Sequence, residues 1–313
     1  METIDIAVIG GGPAGLTAAL YAARARAKTV VFETALPGGQ IITTDWVENY
    51  PAFPEGISGA ELGELMHRQA EQFGAEFRTF ASIESIRPQD LDFVLTDSEG
   101  VEVLARSVIL ATGAVPKRLS VPGEAEFTGR GVSWCATCDG ALFRGKTVAV
   151  VGGGDAAVEE AMFLTKFAAK VYLIHRRDEL RATKCIQERC FDNEKIEMKW
   201  SRTIREIKGE DGKVVGLDLR ATNDDPDEFL PLDGVFIFVG VDPKSALVTE
   251  LCDLDEGGYV KIDPNGLTSY PGLYAAGDVT VGDLKQVVTA AAGGASAAFE
   301  AVRYIDDRLC SIG

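Results

Sequence analysis

The sequence is short of cysteine, of basic charge and of long apolar runs, and each shortage excludes a class of protein. Six cysteines among 313 residues are too few for a disulfide-stapled scaffold. No stretch reaches the roughly eighteen consecutive apolar residues of a membrane-spanning helix. The opening residues, Met1-Glu-Thr-Ile-Asp5, lack the basic start and apolar core of a secretory signal. These features set the expectation of a cytoplasmic protein in a reducing compartment. Lys and Arg number 31 against 48 Asp and Glu, a net charge of −17. A surface of that sign repels phosphate backbones and anionic lipid, so neither nucleic acid nor membrane is an expected partner.

Glycine, by contrast, is plentiful and clustered, with 34 residues. The length suits about two domains. Residues 4–33 read as strand, tight turn, helix and strand: an apolar run from Ile4 to Ile9, the turn Gly10-Gly-Gly12-Pro13-Ala14-Gly15, an Ala-rich helix over Leu16–Ala27, and Thr29–Phe32 ending at Glu33. Helical spacing returns over Ser58–Phe73, with Leu62, Leu65, Met66, Gln69 and Phe73 expected on one side. Several strands follow, ending in Ser107–Ala111. A second strand–turn–helix–strand unit starts near Thr147, roughly 140 residues after the first. It comprises the strand Thr147–Val151, the turn Gly152-Gly-Gly154-Asp155-Ala156-Ala157, a helix to about Lys166 and the strand Lys170–Ile174. A short strand, Leu273–Ala276, leads into Gly277-Asp278, and Gln286–Leu309 is helical in character.

The expected fold class is therefore α/β, with two Rossmann-like three-layer dinucleotide-binding domains. Breaks near 113–117 and 241–245 bracket the second unit. That places an inserted domain at 116–244 inside a discontinuous one, 1–115 with 245–313.

Each G-x-G-x-x-G/A run follows a β-branched strand and opens a helix, the context that gives it meaning. Gly10 permits the turn, Gly12 lets the backbone approach a pyrophosphate, and Gly15 lets helix and strand pack closely. The helix N-terminus adds N–H donors and partial positive charge. Glu33, 18 positions after Gly15, suits a ribose diol. In the second copy, Gly152-x-Gly154-x-x-Ala157, the acidic residue is replaced by His175-Arg176-Arg177, with Arg181 four residues on. Guanidinium groups bind a 2′-phosphate that a carboxylate would repel, so the second unit reads as NADPH-binding. Two dinucleotides on one chain imply electron passage between them, with FAD as the tightly held acceptor in the first unit.

Trp134-Cys135-Ala-Thr-Cys138-Asp139-Gly140 is the third element. One reading is a zinc site completed by Cys185 and Cys190, whose spacing instead falls on a helix. Another is a thioredoxin fold, but Leu142–Gly145 leads straight into the second Rossmann strand. The third, a dithiol that exchanges electrons with the flavin, fits best. Asp139 is placed to shuttle a proton to or from a departing thiolate.

Over nearly its full length the chain resembles the low-molecular-weight, bacterial-type thioredoxin reductases. The resemblance rests on Gly10–Gly15, Gly38-Gly39-Gln40, Glu48-Asn49-Tyr50-Pro51, Ala111-Thr112-Gly113, Cys135–Asp139, Gly152–Ala157, His175–Arg177 with Arg181, Thr268–Asp278 and Gln286–Ala290. It implies that Glu33, Thr34, Gly38, Gly39, Gln40, Asn49, Ala111, Thr112 and Gly113 line the FAD site. It further implies that Gly277 and Asp278 hold the ribitol or pyrophosphate region, and that Lys285, Gln286 and Val287 approach the flavin. The chain departs from the family at Lys285, where Arg is usual, and at Val241-Asp-Pro-Lys244, where His-x-Pro-Asn is frequent.

The resemblance also implies an activity. Electrons would run from NADPH through FAD to the Cys135–Cys138 disulfide, and from there to thioredoxin or a thioredoxin-like redoxin. Cys138 would face the flavin, Cys135 would attack the substrate, and Asp139 would act as acid and base. A homodimer, and hinge motion about the two breaks, are implied likewise. The alternative is a flavin dithiol oxidase or a reductase serving a peroxiredoxin system.

Overall fold

A computed structural model describes residues 1–44, 46–282 and 284–312. In chain order the first elements are β1 (Glu2–Ile9), α1 (Pro13–Arg24), β2 (Thr29–Glu33), α2 (Gly59–Gln72), β3 (Glu76–Thr79), β4 (Ile83–Gln89), β5 (Asp92–Asp97), β6 (Glu102–Leu110) and β7 (Ala114–Pro116). Next come β8 (Val132–Ser133), α3 (Ala136–Asp139), β9 (Thr147–Val151), α4 (Asp155–Leu164), β10 (Lys170–Ile174), α5 (Lys184–Phe191) and β11 (Ile196–Lys199). The remainder are β12 (Arg202–Glu210), β13 (Lys213–Ala221), β14 (Glu228–Pro231), β15 (Gly234–Ile237), β16 (Val241–Pro243), β17 (Leu273–Ala275) and α6 (Val287–Ile312).

The chain divides into two compact units, Met1–Val115 with Asp242–Gly313, and Pro116–Val241. In unit 1 the strands run β3-β2-β1-β6-β5-β4, with β17 also paired to β6. The neighbours β3, β2, β1, β6 and β17 are parallel, whereas β4 and β5 are antiparallel additions. One face is covered by α1 and α6, whose alanines (Ala18, Ala19, Ala22, Ala297, Ala298, Ala301) allow close packing on Ile6, Val8 and Val31. The other face packs Phe93, Leu95, Val108 and Leu110 against Val248, Val260 and Val279 from the returning stretch.

Helix α1 starts earlier than its apolar run suggests. Pro13 sits in its first turn, where a missing N–H costs no helical bond. It also stops earlier, because Arg26 adopts φ +68°. Helix α2 is capped by Ser58, whose side chain accepts Glu61 N–H at 3.1 Å. Its inner face differs from the expected one: Leu62, Gly63 and Ala70 are buried, while Leu65, Gln69 and Phe73 are exposed. The small residues Gly63 and Ala70 let the helix approach its neighbours, a signal that a count of large apolar side chains misses.

Unit 2 has three layers. Its central sheet is wholly parallel, in the order β11-β10-β9-β15-β8. Ala157, Val158, Ala161 and Leu164 of α4 cover one face. The antiparallel sheet β12-β13-β14 covers the other, through Ile204, Ile207, Leu217 and Leu219. Strands buried on both faces read as continuous apolar runs, as in Val148–Val151. The two passages between units run along β7 and β16, which form a two-stranded sheet.

Candidate active site

In both units the site residues gather where parallel strands end. In unit 1, β1 runs into Gly10, β2 ends at Glu33, β6 runs into Ala111–Gly113, and β17 runs into Gly277-Asp278. Because these strands are parallel, all four segments lie along one edge of the sheet, the usual place for ligands in open α/β sheets. In unit 2, β8 leads to Cys135, β9 to Gly152 and β10 to His175, again along one edge.

The two glycine loops have the same construction. The first glycine of each donates its N–H to the neighbouring strand, Gly10 to Phe32 O at 2.9 Å and Gly152 to Ile174 O at 3.1 Å. Packing forbids a side chain there: a Cβ at Gly10 would lie 2.4 Å from Ala111 O, and one at Gly152 would lie 2.4 Å from Phe238 O. The last position is equally tight in the first loop, where a Cβ on Gly15 would fall 1.8 Å from Gly10 O. The middle glycines behave differently. A Cβ on Gly12 would meet nothing nearer than Gly39 Cα at 3.9 Å, and one on Gly154 would meet nothing within 4 Å. Both have ordinary backbone angles, φ −76° and −94°. No feature of the protein's own packing requires glycine at these two places. Each leaves open space at a helix N-terminus, where backbone N–H donors and partial positive charge favour an anion.

The residue after the second strand sets the charge beside each loop. Glu33 lies against Gly11, whose N–H it accepts through Oε2 at 2.6 Å, while Oε1 accepts Ala35 N–H at 2.9 Å and the Thr34 hydroxyl at 3.1 Å. His175 takes the matching place in unit 2, its ring packed so close that a Cβ on Gly153 would overlap it. It is buried, its Nε2 has no hydrogen-bond partner among the described residues, and burial together with Arg181, Arg176 and Arg177 holds its pKa below the usual value. Arg176, Arg177 and Arg181 are exposed, and among the described residues no ion pair joins any of them to a carboxylate. Their loop is nonetheless fixed. Thr222 donates to Arg176 O at 2.9 Å, Ser201 N–H to Arg177 O at 3.1 Å, and Arg181 N–H to Gly153 O at 2.7 Å. Asp155, in the first turn of α4, accepts both the N–H and the hydroxyl of Thr183 at 2.7 Å each. Those bonds lower its pKa. The Asp155 carboxylate thus ties down the arginine loop, a use that its position in the glycine run did not reveal. Ala156 is exposed beside it and Ala157 is buried under the loop.

Around unit 1's edge, Gly38 donates to Gly11 O at 2.7 Å, and Gln40 Nε2 donates to Ala114 O at 2.6 Å. Asn49 Nδ2 donates to Gln286 Oε1 at 2.9 Å, joining segments 237 residues apart, with Val287 opening α6 beside them. Thr112 donates its hydroxyl to Lys244 O at 2.6 Å. Gly277, Asp278, Lys285, Ala290 and Gly293 line a cleft. Burial raises the Asp278 pKa, opposed in part by Lys285. Lys285 Nζ donates to Thr280 O at 2.7 Å and to Asp278 O at 3.2 Å, over the Tyr259 ring. Pro13 and Ala14 pack under the loop, with Ala14 against Gly277 and Gly294.

Cys135 and Cys138 form a disulfide, with Cα atoms 5.3 Å apart. Cys135 caps α3, and its Sγ accepts Cys138 N–H at 3.2 Å. The Thr137 hydroxyl lies 3.3 Å from the same sulfur and, the sulfur carrying no hydrogen, is the donor. Asp139 Oδ2 accepts the Ser133 hydroxyl at 2.6 Å. Ser133 carried no signal in the sequence. Cys190 is buried on α5, apart in kind from exposed Cys185, and among the described residues no three metal-ligating side chains come together. No helix among them is long and apolar enough to cross a membrane.

This geometry has close relatives. The family model for pyridine nucleotide-disulphide oxidoreductases matches residues 4–294. A thioredoxin reductase from Peptoclostridium litorale is 50% identical over 98% of this chain and 99% of its own, and one from Bacillus subtilis is 45% identical over 97% and 95%. The crystal structure of thioredoxin reductase from Streptococcus pyogenes superposes with a TM-score of 0.92 at 41% identity, covering 97% of this chain and 99% of that one. A duplicated nucleotide loop, a disulfide between the copies and full-length identity of this order leave one assignment: the chain belongs to the pyridine nucleotide-disulphide oxidoreductase family, among its bacterial-type thioredoxin reductases.

Proposed function

We propose that the protein is a cytoplasmic NADPH-dependent disulfide reductase that uses FAD and delivers electrons to the disulfide of thioredoxin or a thioredoxin-like redoxin. The observation that carries the reading is the Cys135–Cys138 disulfide on a unit whose nucleotide loop ends in guanidinium groups that no carboxylate pairs among the described residues. Unit 1 would hold FAD: Gly10, Gly12 and Gly15 with the α1 N-terminus cradle the pyrophosphate, and Glu33 Oε2 keeps acceptor capacity for a ribose hydroxyl beside its bond to Gly11. Gly38, Gly39, Gln40, Asn49, Ala111–Gly113, Asp278 and Gln286 line the remainder. Unit 2 would hold NADPH on Gly152, Gly154 and the α4 N-terminus. Arg176, Arg177 and Arg181 would grip the 2′-phosphate, and neutral His175 offers it no repulsion.

When bound, the two cofactors supply a two-electron path from the nicotinamide to the disulfide. The chain's own groups handle the sulfur chemistry. Two electrons break the Cys135–Cys138 bond and leave one thiolate and, after one proton from Asp139, one thiol. The family resemblance makes Cys135 the attacking thiolate, and the donors from Cys138 N–H and Thr137 that converge on Cys135 Sγ support that role by favouring negative charge there. It bonds to one redoxin sulfur and expels the other. The Asp139 carboxylate takes the Cys138 proton as Cys138 attacks Cys135, which re-forms the internal disulfide and releases the reduced redoxin.

The homodimer is proposed from the family resemblance, on unit 1, where Leu20, Tyr21, Tyr50, Met66, Gln69 and Ala291 line a surface groove of mixed polar and apolar character that a second copy would cover. Light scattering of the purified protein checks it, a monomer at all concentrations being the contrary result. The main test is NADPH oxidation by the yellow protein offered thioredoxins, glutaredoxins or oxygen. Thioredoxins should support the fastest turnover. Cys135→Ser should keep flavin reduction by NADPH and lose disulfide reduction; a variant that still reduces the redoxin sinks the dithiol route.

A further inference from the structure

We propose that Ser133 is a positioning residue for proton transfer at the dithiol, holding Asp139 in place through both of its protonation states. The proposal deepens the reading above and rests on its assignment of Asp139 as acid and base. Ser133 closes β8 and is only 6% exposed. Its hydroxyl donates to Asp139 Oδ2 at 2.6 Å and accepts Cys135 N–H at 3.0 Å. A second acceptor is within reach of the same hydrogen, because Cys135 O lies 3.3 Å from Ser133 Oγ. One side chain thus touches the backbone of the attacking cysteine and the carboxyl that serves it.

A hydroxyl offers one hydrogen and two lone pairs. With Asp139 ionised, the Ser133 hydrogen points to Oδ2 and one lone pair takes Cys135 N–H. With Asp139 protonated, the acid's hydrogen points to the second lone pair, and the Ser133 hydrogen turns to Cys135 O. The Cys135 N–H bond persists in both arrangements. The carboxyl therefore gains and loses its proton without leaving a buried donor or acceptor unmatched at Ser133, which would otherwise cost the full desolvation of that group. Alanine could serve neither arrangement.

The chemistry served is balanced within the proposed cycle. Two electrons, which NADPH and FAD would supply when bound, open the disulfide; one proton leaves Asp139 for one of the two sulfurs. The same carboxylate recovers that proton when the internal disulfide re-forms. The bond from Cys135 N–H to Ser133 is the same in both arrangements and carries no proton, so the part of the Ser133 effect that runs through Asp139 must vanish when Asp139 cannot change charge.

The test is a double-mutant cycle of wild type, Ser133→Ala, Asp139→Asn and the double variant. Two readouts apply: turnover with a thioredoxin, and the rate at which iodoacetamide alkylates the dithiothreitol-reduced dithiol. Ser133→Ala should lower kcat roughly ten-fold, the size of one charged hydrogen bond. It should leave the KM for thioredoxin and the rate of flavin reduction by NADPH unchanged. It should also change alkylation in the same direction as Asp139→Asn. The double variant should lose clearly less than the product of the two single losses. Ser133→Thr, which keeps the hydroxyl, should recover most of the loss. Losses that multiply in the double variant would overturn the proposal and leave the Asp139 reading standing. An Asp139→Asn protein as fast as wild type would instead sink that reading, and the role of Ser133 with it.

Discussion

Cys190 and Cys135 carry the same functional group in opposite surroundings. Cys190 is fully buried on the inner face of α5, and burial pushes its thiol up to about 11, so it stays protonated at any physiological pH. Burial and the nearby Asp253 move Cys252 the same way. Cys185 and Cys310 are exposed. In the native oxidised protein, a coloured disulfide reagent should therefore titrate two thiols quickly, and Cys190 and Cys252 only after denaturation. Four fast thiols would mean that the interior opens readily. His175 gives a second contrast. Its imidazole is held below the ordinary 6.5 chiefly by burial and Arg181, with Arg176 and Arg177 adding smaller pushes, against an opposing bond to Gly152. As pH falls below 6.5, the unfolded chain takes up a proton that the folded chain refuses until its own, lower pKa is passed. Stability should thus drop across that window and be unaffected above it. Urea midpoints compared at pH 7.5 and 5.5 should differ less in His175→Gln than in wild type; an equal difference would remove His175 as a source.

At the scale of elements, the glycine loops separate packing from binding. Gly15→Ala forces a Cβ onto Gly10 O and should destabilise the apoprotein by roughly 1–3 kcal/mol, because loop and helix α1 must part. Gly12→Ala meets open space at φ −76° and should leave the apoprotein's melting temperature level or slightly raised. Its flavin content should nevertheless collapse, since the new methyl group occupies the pyrophosphate's approach. Normal flavin content in Gly12→Ala would contradict the cradle. In the second loop, Arg176→Gln with Arg177→Gln should raise the NADPH KM by about 10–100-fold, at roughly 1.5–3 kcal/mol for charged hydrogen bonds, and spare NADH. These features were legible in the sequence because each is carried by consecutive residues after a strand. The Asp155–Thr183 tie and the Ser133–Asp139 bond were not: they join short polar side chains that any loop contains, and only the fold brings them together. The inner face of α2 was misread for a related reason. Gly63 and Ala70 earn their burial by being small, which hydrophobic periodicity does not weigh.

For the whole molecule, the decisive fact is that one unit is spliced into another. The chain leaves unit 1 after Val115 and returns at Asp242, so both passages lie in β7 and β16. Each side of this two-stranded sheet is anchored within its own unit: Lys244 N–H donates to Gly113 O at 2.9 Å in unit 1, and Lys117 N–H to Gly240 O at 2.9 Å in unit 2. Each passage carries one proline, Pro116 and Pro243, whose rings fix φ near −65°. In the proposed cycle, unit 2 carries both the nucleotide loop and the dithiol, whereas unit 1 carries the flavin loop. The single flavin must serve both, and a redoxin must also reach Cys135. Motion localised at the two prolines would satisfy all three demands while leaving each unit's interior intact. Pro116→Gly and Pro243→Gly should then change turnover with thioredoxin several-fold. Flavin content, and the affinity for NADP⁺ measured by calorimetry, should remain at wild-type values, because neither loop is touched. Turnover unchanged in both variants would place the motion elsewhere; loss of flavin would show that the prolines support unit 1 itself rather than the passage between units.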